Sequence, residues 1–222
     1  MAINLQKGQT IDLRKNESGG EYDLSEVTIG LGWDVKQKNT GFFASIFGGG
    51  EADEYDLDAI AFVLDANNKV ANRGQSVTRG GNTFQLQGSD IVFFNALKHP
   101  SGNIWLTGDN RTGEGDGDDE QIIVQLNKLD QKYKTIVFIV TIYQGRKKHQ
   151  HFGMVDNAFI RAVDHRGHEI ARYSLSGNAD FNNTHAMIFA ELYRKDGSWK
   201  FRAIGEPRDT DNFMEILKEY TS

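Results

Sequence analysis

Apolar and polar positions alternate in short runs along most of the chain. Strand-like runs fall at 27–31, 58–64, 91–94, 121–124, 135–143, 158–163, 169–175, 186–193 and 199–204, each bounded by Gly, Asn or Asp. Between them lie turn sequences: His99-Pro100-Ser101-Gly102, Asp164-His165-Arg166-Gly167, and Asp196-Gly197, the last a two-residue hairpin signal. Many short strands without intervening helical periods predict an all-β fold, an antiparallel two-sheet β-sandwich. One helix is expected, over 209–221, where Phe213, Ile216, Leu217 and Tyr220 make an apolar stripe at i, i+3, i+4 and i+7. Thr210 or Asp211 is placed to cap it, and the stripe is expected to pack on the sandwich.

Two stretches read as inserted surface loops in one domain spanning 1–222. Residues 36–54 run through Phe42, Phe43, Ile46 and Phe47 into Gly48-Gly49-Gly50, the pattern of a one-turn helix with a glycine stop. Tucking against the domain is the favoured reading of these apolar residues; contact with a partner or a membrane surface is the alternative. Residues 71–90 are rich in Gly, Asn, Gln and Ser.

Composition narrows the chemistry. With no cysteine there is no disulfide, thiolate metal site or thiol redox chemistry on this chain, so a metal must sit on oxygen or imidazole. No segment approaches the roughly 18 apolar residues of a membrane span, and the N-terminus lacks a basic region followed by an apolar run, so a soluble, cytoplasmic protein is expected. A net charge of -6 argues against binding a nucleic-acid backbone. The basic patch Arg146-Lys147-Lys148, with His149 and His151 nearby, reads as a solvated loop in preference to an anion site.

The segment with most chemical content is 108–120, where Asp109, Asn110, Glu114, Asp116, Asp118, Asp119 and Glu120 are interleaved with glycines and one cation, Arg111. Two carboxylates about 5 Å apart at an effective dielectric near 20 repel by roughly 3 kcal/mol. A divalent cation removes that cost. Glycines let the backbone curl so that side-chain and main-chain oxygens share one centre, which suits Ca²⁺ with its six to eight hard ligands better than Mg²⁺ with its rigid octahedron. No histidine lies in the loop to favour a softer metal. A second acidic unit, Asp56-Leu57-Asp58, opens an apolar strand and places two carboxylates on one face. These are expected to face the acidic loop and to hold one or two ions with it. An EF-hand does not fit, because Arg111 and Gly113 stand where oxygen ligands belong and Glu114 where the turn glycine belongs. The plain alternative is a solvated acidic loop.

Five motifs in order resemble the TerD family: Gly30-Leu31-Gly32-Trp33-Asp34, Asp56-Leu57-Asp58-Ala59, the loop 108–120, Asn157-Ala158-Phe159-Ile160-Arg161, and Trp199-Lys200-Phe201-Arg202-Ala203-Ile204-Gly205. The resemblance covers about 3–205. It implies a β-sandwich that binds calcium through acidic loops, in bacterial proteins of tellurite resistance and wider stress responses. The ligand candidates carried over are Asp56, Asp58, Asp109, Asn110, Glu114, Asp116, Asp118, Asp119 and Glu120, with Asp34 added as either a ligand or a turn residue. Implied partners are other stress-response proteins, with a membrane-associated complex and a homo-oligomer left open and nucleic acid excluded.

The competing function is a metal-assisted hydrolase or glycosidase built on the same carboxylates. His149, His151, His165, His168 and His185 have no sequence link to the acidic loop, and no nucleophile-elbow pattern occurs. No catalytic residue is assigned. Reduction of tellurite by the chain itself is disfavoured by the absence of thiols, so a binding or scaffold role is the expectation.

Overall fold

Fourteen short strands pair into two six-stranded sheets and one separate hairpin. In the computed structural model, which describes residues 3–13, 22–35, 55–107, 118–174, 181 and 183–221, they are β1 Ile3–Leu5, β2 Thr10–Asp12, β3 Val27–Val35, β4 Leu57–Leu64, β5 Gln75–Arg79, β6 Asn82–Gln87 and β7 Ile91–Val92. They continue as β8 Ile104–Thr107, β9 Glu120–Val124, β10 Thr135–Ile142, β11 Val155–Asp164, β12 Glu169–Ser174, β13 Ala186–Lys195 and β14 Ser198–Arg208. The first sheet runs β1-β12-β11-β3-β9-β8 and the second β2-β14-β13-β10-β4-β7. Every pairing is antiparallel except that of β1 with β12.

Period-two alternation fills the space between the sheets. Ile29, Leu31 and Trp33 of β3 and Ile122 and Val124 of β9 meet Ala61 and Val63 of β4 and Phe138 and Val140 of β10. All eight positions of β4 and of β10 are buried, because the outer face of the second sheet is covered as well. There Ile60, Phe62, Leu64, Val137 and Ile139 pack under Ile216 and Leu217. The C-terminal helix is Phe213–Leu217, continued by a 3-10 turn at Lys218–Tyr220, and its stripe does pack on the sandwich. The Phe62 ring lies 6.3 Å from Phe213 and 5.6 Å from Tyr220. The cap differs from both expected residues: Asn212 accepts the Met214 N–H, while Thr210 accepts that of Asn212 one step earlier.

Three further differences have physical causes. Residues 71–90 are not an irregular loop, since β5 and β6 form a hairpin within them, with Val77 opposite Phe84. Its polar, exposed faces hid the strand pattern. At the basic patch the chain makes a helical turn, Gly145–Lys148, where Asp211 accepts the Arg146 N–H and Asp209 receives its guanidinium. Strands β1, β2 and β8 have only three or four residues, too few to show alternation. The Asp196-Gly197 turn joins β13 to β14 with both residues at positive φ (53° and 74°), the left-handed geometry of a two-residue hairpin. The expected loop at 36–54 lies outside the described residues.

The base of the β5–β6 hairpin is tied to the core by a buried polar node. Asp90 accepts from Tyr133 OH at 2.8 Å and the Asn72 N–H at 3.0 Å, and lies 3.1 Å from His99 Nε2. Burial pushes the Asp90 carboxyl up, but hydrogen bonds from His99, Tyr133 and Asn72 outweigh it and hold the group below its usual range.

Two outcomes are expected. Phe62→Ala should cost about 3–5 kcal/mol in urea unfolding, because its ring anchors the helix as well as β4. Burial, followed by the Glu219 charge, pushes the Tyr220 phenol up to about 12. A tyrosine raised in the folded state contributes stability below its unfolded value near 10, and that stability is lost as pH climbs through the folded value. Tyr220→Phe should therefore flatten the alkaline limb of the stability profile between about pH 10 and 12, measured by denaturant midpoints at each pH.

Candidate functional site

The acidic segment enters the sandwich through β9, and its last three carboxylates are turned toward three different elements. Register sets this up: Leu31 of β3 lies opposite Glu120 and Gly30 opposite Gln121.

Glu120 points inward and is 1% exposed. Its Oε2 accepts the backbone N–H of Ala59 at 2.5 Å, which joins the first sheet to the second. That donor exists because β7 is two residues long and pairs with β4 only at Ala61 and Phe62. Beyond the end of β7, Glu120 supplies the acceptor that a longer strand would have supplied. Ala59 belongs to the Asp56-Leu57-Asp58-Ala59 unit, so the end of the acidic loop and that unit meet here. Asp58 is 7% exposed and lies opposite Thr141 of β10. It shares the strand parity of Ile60, Phe62 and Leu64, whereas Leu57 and Ala59 belong to the core between the sheets. The Asp56 carbonyl accepts the Tyr143 N–H at 2.8 Å.

Asp119 runs alongside β3. Its N–H donates to Leu31 O at 2.8 Å, and its Oδ2 accepts the Trp33 N–H at 2.9 Å. The next residue of β3, Asp34, stands at the register position opposite Asp156 of β11, just before a bulge where Asn157 takes φ 50°.

Asp118 folds onto the outer face of the first sheet, above Gly30. Gln121, Gly30 and Arg161 form one row across β9, β3 and β11. Glycine leaves a gap in that row, and the Asp118 carboxylate, 2% exposed, fills it. Arg161 Nε donates to Oδ1 at 2.7 Å and Gln121 Nε2 to Oδ2 at 3.2 Å. A Cβ on residue 30 would overlap the carboxylate. The Asp118 hydrogen bond is the main reason that the Arg161 guanidinium is held above its ordinary value, with Glu169 adding to it. Glu169 in turn bridges Arg161 and Arg172 at 3.1 and 2.8 Å, and Arg172 stacks 4.0 Å from the Phe159 ring centre. Gly30 and Arg161 were quoted in motifs, yet their joint role shows only when the strands are aligned. The one local signal was a glycine inside a strand, which marks close approach by another group.

Asp109, Asn110, Glu114 and Asp116 lie outside the described residues. Among the described residues no three His, Asp or Glu side chains converge tightly enough to hold a metal. These residues supply hard carboxylate and carbonyl oxygens of the kind Ca²⁺ takes, but they do not share one centre: Asp118 is met by Arg161, Asp119 by Trp33 and Glu120 by Ala59. Asp58, expected to face the acidic loop, instead shares the parity of the outer face of the second sheet. Along β8, the strand leading into the loop, a groove of about 430 Å³ is lined by Leu97, Lys98, Gly102, Trp105, Leu106 and Gln125. Leu97 and nearby Phe94 are among the exposed large apolar residues.

Removing the Glu120 carboxylate should leave the Ala59 N–H without this acceptor. Glu120→Ala is expected to cost about 1–3 kcal/mol in urea unfolding performed in chelator, and Glu120→Gln less, because the amide oxygen still accepts.

A TerD domain profile matches residues 1–220. The chain is 57% identical to tellurium resistance protein TerX of Serratia marcescens over 220 residues, covering 99% of this chain and 100% of that protein. It is 38% identical to stress response protein SCP2 of Bacillus subtilis (strain 168), covering 99% and 100%. A crystal structure of a homologue of the telluride resistance protein TerD from Streptomyces coelicolor A3(2) superposes with a TM-score of 0.58, covering 89% of this chain and 98% of that one, and at 22% identity it shows the shared fold. The chain belongs to the TerD family.

Proposed function

We propose that this TerD-family chain is a calcium-binding β-sandwich module of a bacterial stress response of the tellurite-resistance type, acting in the cytoplasm as a binding or scaffold protein. The observation that supports the reading is the Glu120–Ala59 hydrogen bond, which ends the acidic segment against the backbone of the residue that follows the Asp56-Leu57-Asp58 unit. Asp56, Asp58, Asp118, Asp119 and Glu120 are the described candidates for holding the ion, Asp118 being bound to Arg161 in its absence, and Asp34 is a further candidate from β3. Asp109, Asn110, Glu114 and Asp116 complete the set from the loop.

The tellurite connection is indirect in this reading. A chain without cysteine offers no thiol to reduce the oxyanion. Calcium instead offsets the carboxylate charge of the acidic segment that follows β8. The groove at Leu97, Trp105 and Leu106, with Phe94 nearby, then offers a surface for another stress-response protein, a membrane-associated complex among the choices. No helix among the described residues is long and apolar enough to cross a membrane, so such a contact is peripheral in this reading.

Titration calorimetry of the chelator-stripped protein tests the proposal. Saturable Ca²⁺ binding below millimolar concentration is expected, with Mg²⁺ weaker. At a hundredfold excess over Kd, calcium should add about 2.7 kcal/mol to unfolding stability. Absence of saturable binding rejects the reading. Ester or glycoside turnover that is lost in Asp119→Ala would favour the hydrolase alternative.

A further inference from the structure

We propose that Ser101, His99 and Asp90 form a second site, independent of calcium: a triad that hydrolyses esters of apolar carboxylic acids in the groove along β8. All three members stand in place among the described residues. Ser101 Oγ lies 2.8 Å from His99 Nδ1, and His99 Nε2 lies 3.1 Å from Asp90 Oδ1. The backbone sets the tautomer: the Ser101 N–H donates to Nδ1 at 3.1 Å, so Nδ1 carries the lone pair and Nε2 the proton given to Asp90. Compared with the usual triad the two ring nitrogens exchange places, and the roles of nucleophile, base and orienting carboxylate are kept. His99 and Asp90 are each 2% exposed, whereas Ser101 is exposed. Tyr133 packs edge-on against the imidazole at 5.2 Å and fixes its plane.

The groove starts where the triad ends. Lys98 and Gly102, chain neighbours of His99 and Ser101, both line it, with Leu97, Trp105 and Leu106 as its apolar wall. Its volume of about 430 Å³ suits a small ester. Lys98 Cε lies 3.8 Å from where a Cβ on Gly102 would stand, which brings the ammonium end to the turn that carries Ser101. Closing that turn needs only the bond that Ser101 Oγ accepts from the Asn103 N–H at 3.2 Å; it needs no buried imidazole and carboxylate behind the serine. In the reaction Ser101 Oγ bonds to the ester carbonyl carbon while its proton passes to His99 Nδ1, and Asp90 stabilises the imidazolium through Nε2–H. Lys98 offsets the charge on the carbonyl oxygen. Collapse breaks the bond to the alcohol oxygen, which leaves with the proton from Nδ1. Water then attacks the acyl carbon and gives a proton to Nδ1; the second collapse returns that proton to Ser101 Oγ and releases the carboxylic acid.

Two measurements on the full chain in chelator test this, and neither depends on the calcium reading. A fluorophosphonate should label Ser101 in preference to the other serines, as located by peptide mass spectrometry. The wild type should hydrolyse p-nitrophenyl butyrate at least about 100-fold faster than Ser101→Ala. That variant keeps the backbone N–H on Nδ1 and the Asp90 contacts, so its urea midpoint should match the wild type. His99→Ala should lose both turnover and labelling; since it removes a buried side chain, Ser101→Ala carries the test if His99→Ala fails to fold. Lys98→Met should lower kcat by roughly 10²–10³ with KM little changed, the pattern of a lost oxyanion donor. A change in KM alone overturns the role given to Lys98. Equal turnover by the wild type and Ser101→Ala, or no labelling at Ser101, overturns the triad and leaves 99–102 as a turn.

Discussion

Carboxylates carried into a β-sandwich must each be met by a donor or a cation, and the architecture around the acidic loop follows from how that requirement is met. Asp118, Asp119 and Glu120 are consecutive, yet they are received by a guanidinium and a carboxamide, by two backbone groups of β3, and by a backbone N–H of the opposite sheet. Each destination depends on something missing elsewhere. Asp118 needs the side chain absent at Gly30, and Glu120 needs the strand absent beyond β7. A bulky residue at one place or a longer strand at the other would remove the acceptance without touching an acid.

The same constraint links the site to stability. Glu120 ties the two sheets at the end where β7 stops, so the last carboxylate of the acidic segment also contributes to holding the layers together. Strands β4 and β10, buried on both faces, give that junction a rigid backing. The C-terminal helix closes the outer face of the second sheet through Phe213 and Tyr220 on Phe62, and the Asp90 node pins the hairpin of the inserted stretch.

How much of this the sequence disclosed depended on whether the signal was local. The long strands, the Asp196-Gly197 turn and the apolar stripe of the C-terminal helix are all written in spacings of two to seven residues, and each was legible. The hairpin β5–β6 was not, because with neither face buried alternation has no contrast, and Gln75, Ser76, Asn82 and Gln85 read as loop. The three- and four-residue strands were too short to show a period. At the site, composition pointed to the acidic segment and to Asp56 and Asp58. It could not show that Glu120 reaches Ala59, that Asp156 stands opposite Asp34, or that Arg161 is the cation beside Asp118. All three join segments 43 to 122 residues apart, through strand register or across the two sheets, and no single window contains them.

Register also explains why Asp118 leaves the side of the sheet that Glu120 takes. In an extended strand Asp118 and Glu120 would project to the same side, two carboxylates repelling each other at the mouth of the sandwich. The first sheet could separate them only by ending regular pairing before residue 119, and β9 does begin at Glu120. Once the chain leaves strand geometry, residue 118 is free to cross to the outer face, where Gln121 and Arg161 flank the gap left by Gly30. The attraction on that face and the repulsion on the other act in the same direction, so the crossing is favoured from both sides. Arg161 thereby offsets one of the loop's carboxylates with a charge built into the sheet.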